Sequence, residues 1–378
     1  MDKNKLTFEI TQLISLKQEG EYWDFKREWH KNKSDLLHDI ICMANNLTGH
    51  NGYIIIGVDE ENDYSLIDVS KNTDRYNTQK IVDFLSTKKF AGYIRPKVYV
   101  ETLYIENNYI DVLIVISDKN VPYYLVERYE SISQNNIYTR IGDTNTPINK
   151  SADINDIEKL WKRRFGIDLT VIERFKRYLS TPEDWEEINN GEGWYYKYAP
   201  EFRIIETPDD TRTAYEYYMF SHIDSSPHWY LINLLYHQTP MKEVICNLLD
   251  GGRYITPAPD WRMIKIKDGN DFFYRSFVKD SLKFLLEKLL FHNNSLEAQY
   301  SRTMLMSCIL IFENEDERDQ FEHFVYASYN KYDIEKYKYD IPFIENIKGY
   351  NCETFRYDYK NALLLRDMLD EFRIENKN

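Results

Sequence analysis

The sequence lacks most of the marks of a redox, secreted or membrane protein. Its four cysteines, Cys42, Cys246, Cys308 and Cys352, are scattered, with no C-x-x-C spacing. They read as buried thiols in a reducing compartment rather than a disulfide framework or a paired-cysteine metal site. No N-terminal signal pattern appears. The longest apolar run, Met304 to Phe312, is too short to span a bilayer. A soluble, cytoplasmic protein with no membrane partner is the expectation. Phosphate-cradling loops of the forms G-x-x-x-x-G-K-[ST] and G-x-G-x-x-G are also missing, so ATP is not expected as a cofactor. The G-x-S-x-G and H-E-x-x-H signatures of hydrolases and zinc proteases are absent as well. Cationic charge is scarce: the net charge is −14, which argues against a general nucleic-acid coating protein.

That charge is uneven. Residues 1–170 hold 22 Lys and Arg against 26 Asp and Glu, so most of the acidic excess lies beyond them. Within this balanced part are local basic clusters: Lys26, Arg27, Lys31 and Lys33; Lys88 and Lys89 with Arg95 and Lys97; and Lys159, Lys162, Arg163 and Arg164. They could supply phosphate contacts, although a basic cluster at a helix end also complements the helix dipole. At 378 residues two domains are expected. A hydrophobic content of 43%, with 32 Tyr and 19 Phe, suffices for real cores.

The most informative stretch runs from Gln18 to Lys26. If Tyr22 to Lys26 is a strand, alternation puts Trp23 and Phe25 on one face and Asp24 and Lys26 on the other, about 7 Å apart. Glu19 lies just before it, within reach of Asp24. A carboxylate beside a lysine is the working pair of many metal-dependent nucleases: the acid holds a divalent cation and the lysine steadies charge on the phosphate. The alternative is a surface strand with a weak Asp–Lys salt bridge. Ser34 as N-cap and the spacing of Leu36, Leu37, Ile40, Ile41 and Ala44 predict a helix over about 35–46, stopped by Asn45-Asn46 and Gly49-His50-Asn51-Gly52. Tyr53 to Val58 reads as a central strand, with the acidic run Asp59 to Asp63 at its end.

Taken together, these pieces resemble the AlbA-like domain of the Schlafen family. The resemblance rests on Glu19, then Asp24-Phe25-Lys26, then a helix ending in Ala44-Asn45, then Gly52 to Gly57-Val58-Asp59-Glu60, and finally Tyr138-Thr139-Arg140-Ile141-Gly142. It covers about residues 8–166. It implies a metal-dependent endoribonuclease acting on tRNA-like RNA. Glu19, Asp24 and Glu60 would be the three catalytic acids, with Asp59 as an adjacent alternative. They would hold magnesium or manganese, with Lys26 as the family lysine. Two departures are visible: the second acid is Asp rather than Glu, and the loop before Gly52 is about three residues longer, with Asn51 where a glycine is usual. Arg27, Lys31, Lys33, His50, Asn51 and Arg140 are expected to contact nucleic acid. Homodimer formation, and a toxin or phage-defence role in a bacterium, follow by analogy only. The competing reading is a non-catalytic nucleic-acid-binding regulator, or a nucleotide-responsive switch, with a degenerate acidic site.

The expected fold class is α+β. Residues 1–168 should form a mixed sheet with flanking helices, including a helix at 75–87, strands at 97–105, 109–117 and 136–141, and a closing helix at 152–166. A helical linker is expected at 169–192, followed by a second α+β domain at 193–378. There, strands are expected at 194–207, 213–220, 229–237 and 304–312, and helices at 279–292, 315–329 and 359–375. His222, His228 and His237 are not at a ligand spacing and read as structural or surface residues.

Overall fold

A computed structural model of the chain describes residues 3–188, 191–266, 271–291 and 295–376. Residues 189–190 of the expected linker and residue 292 of the expected helix lie outside them. The chain divides into two compact units, Met1–Leu169 and Thr170–Asn378. Each is α+β, as expected.

The first unit is built on a four-stranded sheet in the order β1-β2-β6-β5. β1 (Trp23–Lys26) runs parallel to β2 (Gly52–Ile56), with Asp24 opposite Ile54 and Phe25 opposite Ile55. A hairpin of β5 (Val98–Ile105) and β6 (Asn108–Val115) completes the sheet, β6 being antiparallel to β2. Glu106 and Asn107 at its turn both have positive φ, the backbone of a tight hairpin that follows the sheet's twist. Two short ribbons, β3 (Val58–Asp59) with β4 (Ser65–Leu66) and β7 (Arg140–Ile141) with β8 (Thr144–Asn145), lie outside this sheet.

Alternation along β2 sorts the core. Tyr53 and Ile55 join Phe25 and Leu6, Ile10 and Leu13 of α1 (Lys3–Ser15). Ile54 and Ile56 face the opposite way, into a cluster with α2 (Lys33–Ala44), Ile81 and Leu85 of α3 (Thr78–Ser86) and Leu160 of α4 (Ile154–Phe165). Asp24 and Lys26 share the α2 side, because residues paired in register on neighbouring strands point the same way. α2 is buried on nearly its whole circumference, so its polar residues His38 and Asp39 need partners inside the fold. Its N-cap is Asn32, which accepts from the Ser34 amide, rather than Ser34 itself. Only Arg140–Ile141 of the expected strand 136–141 is a strand. The rest is an irregular segment held by Asn45, whose side chain bonds the carbonyls of Tyr123 and Tyr138 and the amide of Tyr123. The Ala-Asn pair at the end of α2 is thus a structural clasp.

The second unit has a six-stranded antiparallel sheet, in the order β14 (Tyr254–Pro257), β13 (Thr239–Leu249), β12 (His228–Tyr236), β11 (Ala199–Pro208), β10 (Gly193–Tyr196), β9 (Trp185–Glu187), and a three-stranded sheet of β15 (Asp260–Ile264), β16 (Phe272–Val278) and β17 (Leu310–Phe312). α5 (Val171–Leu179), in the segment expected as a linker, puts Phe175 and Leu179 into the core of the larger sheet together with Leu286, Leu289 and Leu290 of α6 (Leu282–Phe291). The strand expected at 194–207 is two strands, β10 (Gly193–Tyr196) and β11 (Ala199–Pro208). Thr213 to Phe220 is not a strand. Tyr217–Ser221 is a 3-10 turn, and its Tyr217 and Tyr218 hydroxyls donate to the Cys308 carbonyl and the Asn247 side chain. Met304 to Phe312 is also not one strand: α7 (Leu296–Met306) ends inside it and only β17 (Leu310–Phe312) is extended. α8 (Glu315–Ser328) and α9 (Cys352–Glu375) cover the smaller sheet. All four cysteines are buried free thiols. Among the described residues no helix is long and apolar enough to cross a membrane.

Candidate nuclease-type site

β1 delivers Asp24 and Lys26 to the α2 face as an ion pair. Asp24 is buried, and its other carboxylate oxygen lies 3.2 Å from the guanidinium of Arg140. The turn before β1 folds Glu19 back onto the same group. One Glu19 oxygen accepts from the Phe25 amide at 2.9 Å and the other from Arg140 at 2.7 Å. Gly20 permits this fold: a Cβ there would overlap the Trp23 ring, and its carbonyl accepts from Arg140 Nε at 2.7 Å. Arg140 also donates to the Trp23 carbonyl and to Asn145 Oδ1. Glu19, Asp24, Lys26 and Arg140 therefore form one packed charged cluster.

Asp39, His30 and Asn145 were not visible in the sequence as parts of this cluster. Asp39 of α2 stands 3.9 Å from the Lys26 ammonium. It accepts from Asn145 Nδ2 at 2.9 Å and sits 2.7 Å from His30 Nε2. The available signal was a pair of polar residues, His38-Asp39, flanked on both sides by paired aliphatics. Such a pair inside an apolar helix demands buried partners.

Burial and the neighbouring Asp24 carboxylate push the Glu19 carboxyl up to about 8, against the opposing Phe25 amide and Arg140. Glu19 is thus largely protonated at neutral pH, beside an acid that is paired with Lys26. Burial alone would lower the Lys26 ammonium, but Asp24 and Asp39 outweigh it and hold it above its ordinary value. Asp39 is likewise penalised by burial, yet His30 and Lys26 hold it below the usual carboxylate range. The raised Glu19 has a thermodynamic consequence. A carboxyl whose folded-state value is raised contributes stability that is present below its ordinary value of 4.5 and lost as pH rises through about 8. The Asp39 effect has the opposite sign and lies below pH 3.8. Melting temperature measured from pH 5 to 8 should therefore fall less steeply in Glu19→Gln than in the wild type. An unchanged slope would show that Glu19 is ionised throughout.

The remaining expected site residues are placed differently. Gly57, with φ 108°, turns the chain where a Cβ would meet the Ile67 carbonyl at 2.7 Å. This leads Asp59 to Arg27, 3.4 Å away, while Glu60 opens an exposed 3-10 turn. Among the described residues no three Asp, Glu, His or Cys side chains come together as a metal-holding group. Glu19 and Asp24 are adjacent but bound by Arg140. As placed, Glu19, Asp24, Asp59 and Glu60 do not fit the three-carboxylate magnesium or manganese centre that the resemblance implied. Arg140 is not a phosphate contact: it is buried and its guanidinium is fully engaged. Asn51 is half-buried and accepts from the Ser117 amide at 3.0 Å, so its carboxamide oxygen braces the end of the sheet. His50 is exposed and stacks on Tyr22 with ring centroids 4.7 Å apart. Arg27, Lys31 and Lys33 are exposed and open to a ligand.

The first unit is thus an α+β unit whose sheet carries a buried acid–lysine–arginine cluster. Residues 19–149, in the N-terminal part of the chain, match the family described as Schlafen, AlbA_2. No curated protein and no solved structure matches the chain.

Proposed function

We propose that the first unit binds structured, tRNA-like RNA and cleaves its phosphodiester backbone at the cluster of Glu19, Asp24, Lys26 and Asp39. The observation that carries this reading is the Lys26 ammonium, held between the carboxylates of Asp24 and Asp39. A fixed ammonium in a partly buried setting stabilises the charge that develops on a reacting phosphate far better than one in water. Glu19, held protonated up to about pH 8 by burial and Asp24, can give its proton to the leaving oxygen as the ribose 2′-hydroxyl forms the new bond to phosphorus and its own proton passes to solvent. Because the carboxylates are not gathered as a cation site, this chemistry rests on the side chains themselves. Magnesium or manganese enters as a variable of the test.

The test incubates the purified full chain with total transfer RNA in magnesium, in manganese and in chelator. Discrete fragments are expected. Fragments that persist in chelator assign the chemistry to the side chains alone. Fragments that require metal mean that RNA and ion together draw the acids into a centre. Intact but bound RNA in every arm would replace this proposal with the regulator reading, in which the cluster is structural.

A further inference from the structure

A cleft of about 590 Å³ in the first unit lies beside the charged cluster rather than within it. It opens between the segment after β1 and the loop that leads into α3. Five cationic side chains line it, Lys31, Lys33, Lys71, Arg75 and Lys80, against two acids, Glu28 and Asp74. In a chain with net charge −14 the cleft holds a local excess of positive charge, which raises the local concentration of an incoming anion. Its volume lies in the range of small-ligand sites, which suits a short stretch of strand rather than a whole duplex.

The floor is rigid. Arg75 makes two hydrogen bonds to Asp111, at 2.6 and 2.8 Å, and a third to Thr102. Trp29 donates to the same buried carboxylate at 2.9 Å. The lysines differ from Arg75. Lys31 has only an exposed partner, Glu28, and Lys80 donates to the Arg75 carbonyl, so both ammonium groups remain reachable from solvent. The cleft is also tied to the charged cluster. His30 lines it, bonds Asp39 through Nε2, and has a buried Nδ1 with no hydrogen-bond partner among the described residues. Asp39 in turn contacts Lys26.

We infer that this cleft is a phosphate-binding track for single-stranded RNA, in which Lys31, Lys33, Lys71 and Lys80 hold consecutive backbone phosphates and His30 marks the junction with the cleavage cluster. The inference rests on the nucleic-acid reading of the domain and adds Lys71 and Lys80, from a loop and a helix that no motif singled out. Phosphate contacts position a strand without reading its sequence, so the track should be indifferent to base identity.

The experiment measures binding of a fluorescent single-stranded RNA oligonucleotide to the full chain across a salt series. It compares the wild type with the quadruple variant K31A/K33A/K71A/K80A and with a charge-matched control, K3A/K5A/K119A/K150A, whose lysines are exposed elsewhere on the same unit. Thermal melts confirm that all three are folded. Each lost phosphate contact should lower the slope of log affinity against log salt by about 0.7 for a single strand. The cleft variant should therefore lose about 2–3 in slope and on the order of 100-fold in affinity near 0.1 M salt, while the control changes little. Equal losses in the two variants, or none in the cleft variant, would overturn the track and leave the cleavage proposal standing. Wild-type protein that binds no oligonucleotide would also overturn the track, while the transfer RNA assay would still decide the cleavage proposal.

Discussion

Arg140→Ala is expected to destabilise the first unit by about 3–5 kcal/mol, the cost of stripping one partner from a buried ionic group. The size follows from what the guanidinium does. It bonds the carbonyls of Gly20 and Trp23, the Glu19 carboxyl and Asn145, and pairs with Asp24. Its side chain is 1% exposed. Alanine would leave a buried carboxylate short of a counter-charge and the Gly20 carbonyl without its donor, in a space too enclosed for water to replace five N–H groups. Arg140→Lys should recover only part of the loss, because a single ammonium cannot reproduce the planar fork. Urea denaturation of both variants provides the check. A loss within about 0.5 kcal/mol, the range of ordinary surface substitutions, would mean that the guanidinium is free in solution and available to phosphate.

Arg140 also shows where sequence reading reaches its limit. The Tyr-x-Arg-x-Gly segment identifies the residue, but nothing in five residues tells whether an arginine points to solvent or back beneath a strand more than a hundred positions earlier. The β1 segment was legible because a strand has a period of two and its aromatic and charged residues alternate cleanly. Asp24, Lys26 and Phe25 stand on the faces that this pattern assigns. Asp39 was not legible, since it lies within the apolar stripe of α2 and its partners His30, Lys26 and Asn145 come from three other segments. Glu60 was placed by analogy, and the exposed turn that carries it is set by Gly57 and the short β3–β4 ribbon, which composition does not reveal.

In the second unit the errors have separate causes. Met304 to Phe312 is apolar enough for either a buried strand or the end of a buried helix, and periodicity cannot separate these over nine residues. Thr213 to Phe220 is rich in tyrosine, a strand-favouring residue, yet its tyrosines are held in a 3-10 turn by hydroxyl bonds to distant partners. The helices α6 and α9 were legible from their leucine spacing, because each buries one continuous stripe.

Asp24→Asn is the second substitution with a large expected effect. Asparagine keeps the volume and one acceptor oxygen, so the packing with Arg140 and Lys26 is largely retained. What it removes is the negative charge that holds the Lys26 ammonium in place and raises the Glu19 carboxyl. Without it, Glu19 should release its proton at a lower pH, although burial, the larger cause of its shift, still holds it above the ordinary value, while Lys26 is free to swing towards solvent. Loss of positioned charge stabilisation lowers rates by about 10²–10³-fold in comparable sites. Binding should move the other way: deleting an acid near the phosphate path removes repulsion, so RNA affinity should hold or rise.

The most direct measurement of the proposed function is therefore a paired one: single-turnover cleavage of transfer RNA and equilibrium binding of the same RNA, by wild-type protein and by folded Asp24→Asn. The account predicts cleavage at least about 100-fold slower with affinity equal to or tighter than the wild type. Cleavage at the wild-type rate by the folded variant would contradict it and place the chemistry outside the Glu19–Asp24–Lys26 cluster.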